Sequence, residues 1–167
     1  MALKIYKISE FNHKAKIGLF DELCKLLAER CEDGREECIV VGNYNVEGVE
    51  IDAMVVTQYG VMFFDFKNGG GNIVAREVGE WTQNDHSVAG GAYGKSPMVN
   101  ARMMRNRLRS SSSKLLGCQL SDAKVVVVFS MPSAIDDSAL SESTKSWLTV
   151  CDINNIADVL DKALLGA

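Results

Sequence analysis

The sequence predicts an α/β sandwich, a central mixed, mostly antiparallel sheet flanked by helices. Three observations carry that prediction. An amphipathic helical pattern opens the chain, a series of short apolar runs separated by glycine-bearing turns follows, and the last third alternates helix, strand, strand and helix. At 167 residues, 47% hydrophobic and 24% charged, the chain suits a single domain, 1–167, large enough to bury a real core.

Taken in order, residues 16–31 (KIGLFDELCKLLAERC) place apolar side chains at 19, 20, 23, 26 and 27, the spacing of a helix face. The segment Cys31-Glu32-Asp33-Gly34 then stops the helix. Residues 37–44 contain the run CIVV and read as a strand. Residues 49–57 and 61–67 read as two more, joined by a tight turn at Gln58-Tyr59-Gly60. Another turn, Asn68 to Asn72, leads into a strand at 73–78. Residues 83–96 are polar and glycine-rich and read as a loop able to close over a substrate. Pro97 suits the first turn of a helix running to about 116, with Met98, Ala101, Met104 and Leu108 on one side. VVVVF at 125–129 is a buried strand, 131–143 a loop or short helix, WLTV at 147–150 a strand, and 153–165 a closing helix.

Composition narrows the class of function. No apolar run approaches the ~20 residues of a membrane span, so no membrane partner is expected. Five cysteines (24, 31, 38, 118 and 151) form no CxxC pair, and their odd number argues for a reducing, cytoplasmic setting. The net charge is −4, yet no acid occurs between His86 and Ser121, a stretch that carries six lysines and arginines. Arg102, Arg105 and Arg109 recur at helical spacing and form one stripe; Arg107 lies off it. A local basic stripe on an acidic chain hints at a phosphate-tracking face, but by itself it reads more readily as a solvated helix paired with acids from elsewhere.

The chemistry concentrates in the hairpin. Strands alternate faces, so Asp65 and Lys67 share one face. A Gln58-Tyr59 loop sets Asp52 opposite Asp65, and a Tyr59-Gly60 loop sets it opposite Lys67. In either register Glu50, Asp52, Asp65 and Lys67 point the same way unless a bulge intervenes. Carboxylates within ~4–6 Å repel, and one drifts toward protonation unless a cation is near. Lys67 supplies one positive charge. Mg²⁺ or Mn²⁺, held through carboxylate oxygens and a substrate phosphate, supplies the rest. The structural alternative is a cross-strand Asp52–Lys67 ion pair with Asp65 capped by backbone amides.

The stretch VEGVEIDAMVVTQYGVMFFDFKNGGGNI resembles the nuclease-related domain family, NERD, a branch of the PD-(D/E)xK, restriction-endonuclease-like superfamily. The matching features are an acid-Ile-Asp strand, a turn with glycine, an apolar strand ending in D-x-K-N, and then glycine and a further strand. The likeness covers about residues 16–110 and extends to Trp81 and to Ser96-Pro97-Met98-Val99-Asn100, where the family favours Asn-Pro followed by Gln. It implies a restriction-endonuclease-like sandwich that hydrolyses DNA phosphodiester bonds in DNA processing or repair. Asp52 and Asp65 match the metal-binding acids and Lys67 the catalytic lysine. Asn100 stands where the family has its amide, and Glu22, with Asp21 a close rival, where it has a first-helix acid. The resemblance also implies a helicase-like or kinase-like partner domain, and it gives the arginine stripe a role in holding DNA backbone. The rival readings are an inactive nucleic-acid-binding or recruitment module of the same fold, and a protein-interaction domain.

Other motifs fail on chemistry. Residues 89–96 approach the phosphate-binding pattern GxxxxGK(S/T), but Ala89 replaces the first glycine and the preceding EWTQNDHS is too polar for a buried strand. Asp152-Ile153-Asn154-Asn155 lacks the glycine and glutamate of a calcium loop. His13 and His86 lie beside no glycine-flanked nucleophile.

Overall fold

Strands β3 (Val49–Thr57) and β4 (Gly60–Lys67) form the hairpin, with Thr57 opposite Gly60 and Ala53 opposite Phe64. The loop is therefore Gln58-Tyr59, and the register, continued by one residue, sets Asp52 across from Asp65. Gly60 turns the chain at φ +142, a conformation that a side chain would oppose. The computed structural model describes residues 3–32, 37–46, 48–88, 96–116 and 123–164, with side chains in the helix at 97–116 described as far as 111.

Six strands make the main sheet. Besides β3 and β4 these are β1 (Leu3–Lys7), β2 (Cys38–Val46), β8 (Lys124–Phe129) and β10 (Leu148–Asp152), in the order β1-β2-β3-β4-β8-β10. Antiparallel pairing is confined to the consecutive strands β2–β3–β4; β1, β8 and β10 join in parallel. The sheet is mixed, as expected, with more parallel pairing than its turn-rich middle indicates. A second sheet, in the order β7-β6-β5-β9, combines β5 (Gly71–Arg76), β6 (Thr82–Gln83), β7 (His86–Ser87) and β9 (Ser133–Ala139).

Helices cover both faces of the main sheet. α1 (Lys14–Cys31) and α4 (Ile156–Leu164) pack on one face, where Leu23, Leu27 and Leu160 lie fully buried among Val40, Val55, Phe64 and Val128. Burial of each such side chain stabilises the fold by about 1.5–3 kcal/mol. Gly42 permits the closest approach, since a Cβ there would meet the Phe20 ring at 2.5 Å. α2 (Pro97–Leu116) covers the other face, burying Met98, Ala101 and Met104 against Phe63, Val125 and Val127. Trp81 is fully buried in that layer, and its indole Nε1 donates to the Arg76 carbonyl at 2.9 Å. A short helix, α3 (Glu142–Lys145), precedes β10, and a 3₁₀ turn, Ile153–Asn155, leads into α4. Among the described residues no helix is long and apolar enough to cross a membrane, and the described cysteines, 24, 31, 38 and 151, form no disulfide.

Two segments differ from expectation. Residues 133–139 form β9, an edge strand pairing parallel with β5, where a loop or short helix was expected. Its SAIDDSA sequence is half exposed and lacks an apolar face, so no periodicity marks it. β1 is likewise an edge strand with only Leu3 buried. The polar stretch 83–96 contains the β6–β7 hairpin, and its residues 89–95, which hold the expected substrate-covering loop and most of the failed phosphate motif, lie outside the described residues.

Candidate active site

The apolar run of β4 is a rigid mount. Val61 to Phe66 are all buried, and β4 lies between β3 and β8, so the direction of its last side chains is fixed by pairing on both edges. The strand end is tied down further: the Ser130 amide donates to the Lys67 carbonyl at 2.9 Å, and the Gly69 amide to Ser130 Oγ at 2.8 Å. Asp65, only 5% exposed, is held from two sides. Its Oδ1 lies 3.2 Å from Lys67 Nζ, and its Oδ2 accepts from Asn100 Nδ2 at 3.4 Å.

Asp52 is 3% exposed and has different partners. Its Oδ2 accepts the Phe66 backbone amide at 2.7 Å, and its Oδ1 accepts from Lys16 Nζ at 2.8 Å. Glu50 Oε1 lies 3.8 Å from the same ammonium. Regular pairing passes over Asp52. The β2–β3 ladder runs from Gly42–Ala53 to Tyr44–Ile51, and Asn43, which stands opposite Asp52, is left-handed at φ 50. Across this irregularity β3 changes phase: Val49 and Ile51 belong to the α2-side core, whereas Ala53 and Val55 belong to the α1-side core. Simple alternation therefore does not hold through Asp52. Glu50 and Asp52 reach Lys16 of α1, while Asp65 reaches Asn100 of α2, and the charges meet at the end of the sheet between the two helices.

The electrostatics follow from burial and from this proximity. Burial drives the Asp52 carboxyl up to about 6, and repulsion from Asp65 adds to this, against the opposing pull of Lys16 and the Phe66 amide. The Lys16 pKa is raised as well. Burial disfavours its ammonium, but Asp52, with Glu50 and Asp65 behind it, outweighs that and raises its pKa above the ordinary lysine value. Among the described residues three carboxylates thus share two ammonium groups, which leaves the cluster an excess of acidic groups.

The structure brings together Asp52, Asp65, Lys67 and Asn100. The ion pairs are Asp65–Lys67 and Asp52–Lys16, so the alternative of a cross-strand Asp52–Lys67 pair is not the one formed. Lys16 is the residue the motif does not reveal, and its signal lies in the helix. It precedes Leu19 and Phe20 by three and four residues, so it shares their sheet-facing side. Glu22 lines a recess with Lys14, Gly18, Asn68, Ser130 and Ile153, and its rival Asp21 is exposed. Of the arginine stripe, Arg102 pairs with Glu77 at 2.7 Å, and Arg105 lies 4.2 Å above the Trp147 ring while its Nε donates to the Ala123 carbonyl. Arg109 is half-buried and engaged within the fold. A recess of about 430 Å³ opens at the other end of the hairpin, against Tyr59, Lys124 and Lys162, and among the described residues no carboxylate lines it. Asp152 is also buried, but both its oxygens take backbone amides, from Ser133 and Asn154, as a structural cap does.

The family model described as Nuclease-related domain, NERD, matches residues 18–130, more than half of the chain. The chain belongs to the NERD family. The D…DxK arrangement of this NERD domain is consistent with the PD-(D/E)xK superfamily. Among solved structures, protein VC1899 from Vibrio cholerae is similar at 13% identity and a TM-score of 0.44, over 89% of this chain and 34% of that one. Pyrococcus furiosus SfsA, solved in complex with Ca²⁺, is similar at 11% identity and a TM-score of 0.35, over 77% and 52%. The chain spans about a third and about half of the lengths of these two proteins. No curated protein matches it.

Proposed function

We propose that this NERD domain is a metal-dependent phosphodiesterase acting on DNA, with Asp52 and Asp65 as the metal-binding acids and Lys67 as the catalytic lysine. The observation that carries the reading is the pair of buried carboxylates at one sheet end, close enough to raise the pKa of Asp52, with Lys67 Nζ 3.2 Å from Asp65. The donor set fits a hard cation such as Mg²⁺ or Mn²⁺. Among the described residues no three His, Cys, Asp or Glu converge as an all-protein cage, and Mg²⁺ characteristically takes one or two carboxylates and completes its shell with water and phosphate. When bound, such a cation supplies positive charge against the phosphate oxygens as the transition state forms. Lys67 stands where its ammonium orients the attacking water or meets the charge on the phosphate. Asn100 holds Asp65 in place. Arg102, its side chain 48% exposed, is available to a neighbouring phosphate when it leaves Glu77.

A second reading, a nucleic-acid-binding module without catalysis, is favoured by one observation: Asp52 already has a counter-cation in Lys16. The two are separated by assaying cleavage of supercoiled, linear and single-stranded DNA with Mg²⁺ or Mn²⁺, alongside Lys67→Ala and Asp65→Ala. Lys67→Ala is expected to lower the cleavage rate about 10²–10⁴-fold. Asp65→Ala is expected to abolish calorimetric Mn²⁺ binding. Equal cleavage by wild type and Lys67→Ala removes the catalytic reading.

A further inference from the structure

We infer that Lys16 is a built-in counter-cation that competes with the divalent metal for Asp52, so that metal entry requires the Lys16 ammonium to move toward Glu50. The inference rests on the metal-binding reading of Asp52 and Asp65 and assigns a gating role to a residue outside the D…DxK motif.

Lys16 is poorly placed for its own helix. It lies in the first turn of α1, where the exposed backbone amides carry positive charge, and no acid in that turn offsets it. Its side chain is only 24% exposed, so the ammonium also loses hydration. Neither cost is recovered within α1. Both are recovered at Asp52 Oδ1, 2.8 Å away, where a buried carboxylate beside a second carboxylate needs a positive charge. A divalent cation answers the same need at the same oxygens, so the two exclude each other at least in part. Asp52 has little room to serve both, since Oδ2 is already held by the Phe66 amide. Glu50 provides the alternative position. Its Oε1 lies 3.8 Å from the ammonium, and its side chain is 45% exposed, so Lys16 can shift there while staying paired and regaining water.

The test is Mn²⁺ calorimetry on the full chain, comparing wild type, Lys16→Met, Glu50→Gln and the double variant, with thermal melts of each with and without Mn²⁺. Lys16→Met is expected to bind Mn²⁺ about tenfold more tightly, to melt lower without metal, and to gain more than wild type on adding it. Glu50→Gln is expected to weaken Mn²⁺ binding in the Lys16 background and to have little effect beside Lys16→Met. A Glu50 that acts only as a nearby negative charge would give equal losses in both backgrounds, which would overturn the displacement step. If Lys16→Met does not fold without metal, Lys16→Gln carries the same expectations with a polar side chain. Mn²⁺ binding that is unchanged or weaker in the neutral variants overturns the inference while leaving the metal site standing. Absence of Mn²⁺ binding in wild type and every variant overturns the metal reading and this inference together.

Discussion

At the scale of single residues the decisive quantity is the protonation of Asp52. Its carboxyl is raised from an ordinary 3.8 to about 6, first by burial and then by Asp65. Between those values the folded protein holds a proton that the unfolded chain has released, so this group's contribution to stability falls as pH rises through about 6. For the proposed metal site the sign is opposite, because a proton on Asp52 would block a ligand oxygen. Mn²⁺ affinity is therefore expected to be flat above about pH 7 and to fall by up to about tenfold per pH unit below the Asp52 value. A carbon-13 titration of the aspartate carboxyls without metal checks the cause. One aspartate should titrate near 6, and it should move down in Asp65→Asn, where the repelling neighbour is neutral. A highest aspartate pKa that ignores Asp65→Asn would show that burial alone sets it. The acids and Lys67 are legible in the sequence because their spacing along two paired strands is local. Lys16 is not, because its partner lies 36 residues away and its pairing depends on how α1 docks.

At the scale of elements, the hairpin is readable and the irregularity beside it is not. The residues Gln58-Tyr59-Gly60 leave two candidate registers, and the observed one makes the two aspartates neighbours across the strands. Regular alternation, however, would keep Glu50, Asp52 and Asp65 on one face. It fails at Asp52 because β2 takes a left-handed residue at Asn43, which no apolar pattern announces. Asn43 suits that role: its short amide tolerates the conformation, and its Nδ2 donates to the carbonyls of Ser9 and Glu10, at 3.1 and 2.6 Å, fastening the segment before α1. Asn43→Val should thus cost about 1–2 kcal/mol from backbone strain alone, with the lost hydrogen bonds in addition. Asn43→Gly should recover the strain component and leave only the hydrogen-bond loss. Urea unfolding of the two variants measures the difference, and equal destabilisation would mean that the left-handed backbone carries no weight there. Edge strands β1 and β9 escape the sequence for a related reason, since half-exposed strands need no continuous apolar face.

For the molecule as a whole, the proposed activity raises the question of how an acidic chain would meet a polyanion. The sequence offers an arginine stripe on α2, but folding commits much of it inward. Arg105 is spent on Trp147 and the Ala123 carbonyl, joining α2 to the residues before β8 and β10. Arg102 is tied to Glu77, which also accepts from the Ser141 amide and the Thr144 hydroxyl, yet its side chain remains half exposed. Among the described residues of α2 such a surface presents few phosphate contacts, and a net charge of −4 opposes non-specific attraction. DNA affinity should therefore fall only gently with salt, with a slope of log affinity against log salt of about −2, as for two or three neutralised phosphates. The two arginines should separate in their effects. Arg102→Ala should make the slope shallower by about one with little change in melting temperature. Arg105→Ala should lower the melting temperature and leave the slope in place, because its charge is used inside the fold. Fluorescence anisotropy with a labelled duplex across a salt series, paired with thermal melts, measures both quantities on the same samples. A slope that changes with Arg105→Ala while the fold keeps its stability would mean that the whole stripe, rather than its exposed first arginine, tracks the backbone.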